Sequence, residues 1–215
     1  MIFLSVLKLG VVISAAFCAA ALVFQIVQTL RFGRKTDPSL PAGGRMAGVL
    51  YAFGPGMMPW AKESGREHLF TWTAGVILHA AVFFAFTEVG FLLAGMMPPP
   101  GPSRVIRIVL ALGFLCGLGL LIKRAITPSL KAISTPDDFI ANGLVGGLLL
   151  LAWCALQWLW VIPLLFLWSI YLFLYIPLGK IRHCFFFFYT RILFGDFFGR
   201  RGVLPHGGHE KGPRA

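Results

Sequence analysis

The sequence predicts an all-α membrane protein with five transmembrane helices, an external N-terminus and a cytoplasmic C-terminus. Of its 215 residues, 58% are hydrophobic and 13% are charged, and the mean hydropathy is +0.82. Soluble domains carry about 25% charged residues. The apolar residues form long runs, and most basic residues lie between those runs. We therefore assign the net charge of +11 to membrane orientation and anionic lipid, and not to nucleic acid.

Three apolar runs, residues 9–30, 69–95 and 105–122, are each long enough to cross a hydrocarbon core about 30 Å thick as a helix. The first exceeds the apolar region of a signal peptide, so we interpret it as a retained span. Consecutive prolines within residues 96–102 are expected to stop the second span. The final residues of the polar loop 127–138 are typical of an N-cap with acidic charge at a helix start.

No charged residue occurs between positions 139 and 178, and this length is enough for about two crossings. We place the break between the fourth and fifth spans near residues 157–163. Trp158 and Trp160 then suit a membrane interface, and Pro163 suits the first turn of the fifth span. Small residues in the fourth span predict a close helix-packing face: Gly143, Gly146 and Gly147.

Two further segments are predicted outside the spans. Residues 31–68 form a basic loop rich in glycine and proline, whose middle part, 46–60, is apolar enough to lie in the membrane interface with Trp60 as an anchor. Residues 1–194 are expected to form the membrane domain. Residues 195–215 are expected to form a basic, Gly-rich cytoplasmic tail that contacts a partner protein.

The basic residues determine the predicted orientation. With the N-terminus outside, sixteen of the nineteen lysines and arginines fall in the inner loops and the C-terminal segment. The three on the outer side are Lys8, Arg104 and Arg107. Because inner loops carry an excess of positive charge, we expect the N-terminus outside and the C-terminus inside the cell inner membrane.

The chemically most unusual stretch is residues 175–191. Lys180, Arg182 and His183 interrupt an apolar sequence that resumes as four phenylalanines. Within or near a bilayer such residues usually face a ligand or the bundle interior. The second span contributes His79 and Glu88, the latter being the one acidic residue inside any predicted span. The four cysteines occur singly, without the spacing of a metal or cluster site, and are expected to be buried packing residues.

Several motifs give the chain a resemblance to a known family. They are Leu121-Ile-Lys-Arg, Pro128, Lys131-Ala-Ile-Ser-Thr and Asp138; Pro177-Leu-Gly-Lys-Ile-Arg-His183; and Met58-Pro-Trp-Ala-Lys-Glu-Ser64 followed by Leu69-Phe-Thr-Trp72 and His79. In this order, on five spans, they resemble the gamma subunit family of respiratory nitrate reductase. That family includes the membrane cytochrome b subunits of heterodisulfide reductase-like complexes. The resemblance covers residues 57–191.

The resemblance implies b-type haem between the second and fifth spans. It also implies electron transfer between membrane quinone and a cytoplasmic iron–sulfur or heterodisulfide reductase-like subunit. His79 and His183 would ligate the iron, with Lys180 and Arg182 at the haem propionates. In members with two haems each of these spans supplies two histidines, but here the corresponding positions are Val89 and Leu165. We therefore expect one haem b per chain.

Helix geometry permits this pairing of histidines. His79 lies 11 residues after His68, about 16 Å along a helix, and His183 lies 8 residues before Arg191, about 12 Å. Both would then lie at similar depth toward the cytoplasmic side. His68 is the alternative ligand, because 11 residues is close to three helical turns.

Other interpretations of these residues remain open. His79 has the alternative of a hydrogen bond to a backbone carbonyl or to Glu88. Lys180 and Arg182 have the alternative of anchoring in the headgroups. Glu88 is either a proton relay or a protonated packing residue. For the whole chain, the alternative is a haem-free membrane anchor or assembly subunit.

Overall fold

All regular structure in the described part of the chain is helical, with no strand among those residues. The computed structural model describes residues 2–33, 38–61, 63–97 and 100–204, with side chains at 63–64 and 100–102 excepted. The α-helices are α1 (Ile2–Arg31), α2 (Arg45–Phe53), α3 (Glu63–Glu67), α4 (Leu69–Leu93), α5 (Pro100–Ile126), α6 (Pro128–Ala132), α7 (Pro136–Ala155), α8 (Ile162–Tyr175) and α9 (His183–Arg200). Short 3-10 helices occur at Pro55–Met57, Pro59–Ala61, Leu159–Val161 and Lys180–Arg182. The predicted all-α class is confirmed.

In the described part of the chain, four helices are long and apolar enough to cross a membrane. They are Ile2–Arg31, Leu69–Leu93, Ser103–Ile126 and Pro136–Ala155. These correspond to the first four predicted spans, and each is continuous over at least 20 residues. The predicted helix N-cap is also present, since Asp138 accepts a hydrogen bond of 2.8 Å from the Thr135 backbone N–H. The chain therefore has the character of a multi-pass membrane protein.

The fifth predicted span, residues 163–178, differs from the structure. Pro163 does lie in the first turn of α8, but α8 ends at Tyr175 and has 14 residues. At 1.5 Å per residue it is about 21 Å long, shorter than a hydrocarbon core of about 30 Å. Leu159–Tyr175 reaches the length and hydropathy of a membrane span only when it is taken together with Lys180–Arg200, as one interrupted segment. The fifth predicted span is therefore not a single continuous helix.

The chain divides into two compact units. The first is formed within Met1–Gln25 and Phe70–Arg182, and the second within Ile26–Leu69 and His183–Ala215. The first unit contains an apolar core to which α1, α4, α5, α7 and α8 all contribute. Its largest fully buried side chain is Phe166, followed by leucines such as Leu110 and Leu148. Burial of these side chains is the main stabilising term of this unit.

Small residues bring the helices of the first unit into close contact. A Cβ at Gly113 would collide with the Cβ of Ala81 on α4, and a Cβ at Gly147 would collide with the Trp168 ring on α8. The Trp168 indole N–H also donates to the Leu144 carbonyl at 2.8 Å. Of the three glycines predicted to form a packing face, Gly147 does so, whereas Gly143 has open space around it.

This contact makes a first testable prediction. Gly113→Ala should destabilise the first unit by about 2 kcal/mol, because the added methyl overpacks the α4–α5 contact. Gly119→Ala on the same helix is the control, since a Cβ there meets nothing within 4 Å. Thermal unfolding in detergent measures both. The double variant Gly113→Ala/Ala81→Gly should recover most of the loss; failure to recover would contradict a direct methyl contact.

In the second unit, α2 and α9 pack through glycines on both helices. Gly48 on α2 faces Gly195 and Gly199, which are four residues apart on α9. A Cβ at Gly199 would lie 2.7 Å from the Gly48 Cα and from the Gly44 carbonyl oxygen. This is the small-xxx-small arrangement that lets helix backbones approach closely.

Polar contacts close the same helix pair. The N–H groups of Ala42 and Gly43 donate to the Arg200 carbonyl at 2.8 and 2.9 Å. The Arg200 guanidinium donates to the Ser39 carbonyl at 2.6 Å, and Arg45 pairs with Asp196 at 3.6 Å. Residues 38–61 are therefore an ordered part of the second unit, where the sequence had predicted a loop.

The predicted boundary at residue 194 lies within α9, which continues to Arg200. Gly195 and Gly199 are buried against α2, so residues 195–200 are not a separate tail. The segment that was predicted to contact a partner protein packs against α2 of the same chain, because its glycines allow the two helices to approach closely. Residues 205–215 of the predicted tail lie outside the described residues.

Candidate functional site

His79 projects from the middle of α4 and is exposed. Its Nδ1 lies 2.7 Å from the Gly75 carbonyl oxygen, one turn earlier. A carbonyl oxygen only accepts a hydrogen bond, so Nδ1 carries the proton in this contact. Metal-ligating histidines commonly have this arrangement, in which a backbone carbonyl fixes the tautomer and the ring orientation. The hydrogen bond considered as the alternative role for His79 is therefore compatible with ligation.

The face of α4 that carries His79 also carries two glycines. At 100° per residue, Gly75 and Gly90 lie within about 40° of His79 around the helix. A Cβ at either position would meet nothing within 4 Å. Glycine leaves the helix backbone open to close approach by a ligand. Gly75 lies about 6 Å from His79 along the helix and Gly90 about 16.5 Å, so only Gly75 leaves open space next to the imidazole.

His183 and Arg182 lie at the junction between a 3-10 turn and α9. His183 is the first residue of α9, Arg182 ends the preceding turn, and both are exposed. His183 belongs to the second compact unit, whereas His79 belongs to the first. His68, the alternative ligand, is exposed between α3 and α4 and belongs to the second unit. The pairing of His79 with His183 therefore stays a prediction.

Lys180 takes part in a polar cluster in the first unit, which we call the Asp137–Asp138 cluster. The Lys180 ammonium is 2.6 Å from an oxygen of Asp138, and its backbone N–H donates to Asp137 at 2.9 Å. The Tyr175 hydroxyl donates to the Asp137 carboxylate, and Arg124 lies 3.6 Å from Asp138. The cluster joins the ends of α5 and α8 to the start of α7.

The two carboxylates fit the electrostatics of their position. Both lie in the first turn of α7, where the positive end of the helix dipole favours anions. The ring of Tyr175 lies over Gly179, where a Cβ would collide with it. Gly179 is thus required for the Tyr175 hydroxyl to reach Asp137. A propionate role for Lys180 would compete with its ion pair to Asp138.

The cluster brings together two motifs that carry the family resemblance. Arg124 and Asp138 belong to the motif of residues 121–138, and Gly179 and Lys180 belong to the motif of residues 177–183. Asp138 and Lys180 are 42 positions apart in the chain. Their shared contact gives both motifs a structural role, in holding the start of α7 against the turn after α8.

Sequence reasoning missed the acceptor role of Asp137 and Asp138. The two aspartates were predicted only to supply negative charge at a helix start. Lys180 was predicted to bind a haem propionate or to anchor in the lipid headgroups. The sequence did contain a signal for these contacts. It has 8 acidic and 19 basic residues, so a pair of adjacent acidic residues is expected to have basic partners. Among the cysteines, Cys18 is buried as expected, whereas Cys184 is exposed on α9.

The residues on α4 fit an imidazole ligand for haem. A backbone carbonyl holds Nδ1 of His79, and Gly75, one turn away, leaves open space beside it. Arg182, next to His183, is exposed and positively charged, as a partner for a propionate should be. In the described part of the chain, no group of three or more histidine, cysteine or acidic side chains is arranged to hold a metal ion.

Comparison with family models, curated proteins and solved structures found no match to this chain. The resemblance to the nitrate reductase gamma family therefore rests on the sequence motifs alone.

Proposed function

We propose that this chain is the cytochrome b subunit of a respiratory complex in the cell inner membrane. It transfers electrons between the quinone pool and cytoplasmic iron–sulfur or heterodisulfide reductase-like subunits, and it anchors those subunits to the membrane. The observation that carries the proposal is the position of His79, whose Nδ1 is held by a backbone carbonyl in the middle of a long apolar helix.

In this proposal His79 and His183 would ligate the iron of one haem b. A haem held by these two histidines would supply one-electron transfer. Gly75 would leave space for the macrocycle beside α4. Arg182 holds a propionate, and Lys180 contributes positive charge while remaining paired with Asp138. The apolar side chains of α4 and α8 exclude water from this region.

Purification in mild detergent tests the proposal. A pyridine haemochrome assay should give one haem b per chain, with iron–sulfur subunits copurifying. His79→Ala and His183→Ala should each abolish the b-type spectrum, because loss of one axial imidazole leaves the site incomplete. His68→Ala is the matched control and should retain the spectrum. Two haems per chain, no haem in an assembled complex, or loss of haem in His68→Ala alone would each overturn this assignment.

The second candidate function is a haem-free membrane anchor or assembly subunit of such a complex. One observation favours it: Lys180, a predicted propionate partner, is already bound to Asp138 at 2.6 Å. In that case the 177–183 motif serves packing rather than cofactor binding. A complex that copurifies with stoichiometric partner subunits but has no haem absorbance would identify this function.

A further inference from the structure

Glu88 lies on the face of α4 that packs into the core of the first unit. The buried residues of this face follow a helical spacing through Ala81, Ala85, Glu88 and Leu92. Glu88 is 1% exposed, and the two alanines are 0% exposed. A carboxyl group is thus directed inward, among side chains that are otherwise apolar.

Neither carboxylate oxygen of Glu88 has a hydrogen-bond partner among the described residues. By contrast, the buried serine hydroxyls of this unit do have hydrogen-bond partners. The Ser14 hydroxyl donates to the Val11 carbonyl at 2.9 Å, and the Ser169 hydroxyl donates to the Leu165 carbonyl at 2.8 Å. The hydroxyls that the core offers are therefore used within their own helices.

No charged side chain of the neighbouring helices, among the described residues, hydrogen-bonds to Glu88. The ammonium of Lys8 on α1 donates to the Leu93 carbonyl at 3.1 Å, and α8 has no charged residue. The remaining charged residues on α5 and α7 are Arg104, Arg107, Lys123, Arg124, Asp137 and Asp138. Of these, Lys123 donates to Thr71 at the opposite end of α4, and Arg124 and Asp138 belong to the polar cluster.

An unpaired ionised carboxylate in an apolar interior is strongly unfavourable, so a group in this position takes up a proton instead. The Glu88 carboxyl can also lose this proton, because water or a cation that reaches it stabilises the ionised form. Glu88 is five residues from Leu93, the last residue of α4, which is about 7.5 Å along the helix. At Leu93 the Lys8 ammonium brings a charged group to the end of the helix.

We propose that Glu88 is a proton-binding site in the interior of the membrane domain. Its carboxyl is held as the neutral acid at rest, and its proton exchanges with the aqueous phase at the Leu93 end of α4. The step is the transfer of one proton between the Glu88 carboxyl oxygen and water, with no change of oxidation state. The site does not rest on the proposed function, because it needs neither haem nor quinone.

Infrared spectroscopy of the purified full chain, or its intact complex, tests the site. A neutral buried carboxyl gives a C=O stretch that is resolved from ionised carboxylates. We expect such a band in the wild-type protein, a downshift of that band in D2O, and its loss in Glu88→Gln. Glu67→Gln, at an exposed acidic position on α3, is the matched control and should leave the band unchanged.

Reaction with the apolar carbodiimide N,N′-dicyclohexylcarbodiimide gives a second readout that needs no variant. The reagent adds to protonated carboxyls in apolar surroundings, so peptide mass spectrometry should find the adduct on Glu88 and not on Glu67. Absence of this adduct, or a Glu88 band that does not shift in D2O, would overturn the proposal. A shifted band and a Glu88 adduct in a protein without haem would support the site while the proposed function fails.

Discussion

Gly48→Ala is expected to destabilise the second unit by about 3 kcal/mol, at the upper end of the usual range for overpacking. A Cβ at this position would lie 2.5 Å from the Gly199 Cα and would also collide with the Gly195 carbonyl oxygen. Both obstacles are backbone atoms, so no side-chain rotation relieves the contact. Separating the helices would also lengthen the hydrogen bonds that Ala42 and Gly43 donate to Arg200.

Gly44→Ser is the matched control for Gly48→Ala. A Cβ at Gly44 meets only the Ala47 Cβ at 3.5 Å, and serine is favoured at the N-cap position that Gly44 occupies. Limited proteolysis of residues 38–61 and thermal unfolding in detergent should separate the two variants. Equal stability of Gly48→Ala and the wild type would show that α2 and α9 do not pack through these glycines.

Removal of both carboxylates of the Asp137–Asp138 cluster should destabilise the first unit by roughly 3 to 4 kcal/mol. Loss of Asp138 removes the helix cap, about 1 kcal/mol, and a half-exposed ion pair, up to about 1 kcal/mol. Loss of Asp137 removes acceptors for the Tyr175 hydroxyl and the Lys180 N–H, about 1 kcal/mol each. The total is approximate because neighbouring contacts do not add strictly.

Thermal unfolding in detergent, followed by circular dichroism, measures Asp137→Ala/Asp138→Ala against Glu67→Ala. Glu67 is exposed on α3, so the control removes negative charge from the surface without loss of this cluster. Its stability should change by less than about 0.5 kcal/mol. If the double variant and the control unfolded at the same temperature, the cluster would contribute no stability to the fold.

The sequence predicted the first four spans because their cause is local. An apolar run of sufficient length is stable in lipid only as a helix, since each backbone N–H and C=O must find a partner within the segment. The start of α7 was predictable for the same reason, because a cap is a contact between neighbours in the chain. His79 could be singled out as a histidine within an apolar span.

Contacts between distant segments were not predictable from the sequence. The end of α8 at Tyr175 is accompanied by contacts of Tyr175 and Lys180 with Asp137 and Asp138, about 40 positions earlier. The packing of residues 38–61 likewise depends on contacts with the glycines of α9, which lie far away in the sequence. A pattern of glycines identifies a surface suited to close packing but does not name the surface opposite it.

The sequence by itself determined that this protein is helical and has the long apolar segments of a multi-pass membrane protein. These properties follow from composition and from the length of apolar runs, which each segment carries alone. The tertiary structure decided the partners of individual residues: Lys180 with Asp138, Gly48 with Gly195 and Gly199, and Glu88 with none among the described residues. Such outcomes depend on which surfaces meet when the helices pack, and burial within that packing gives Glu88 its chemical character.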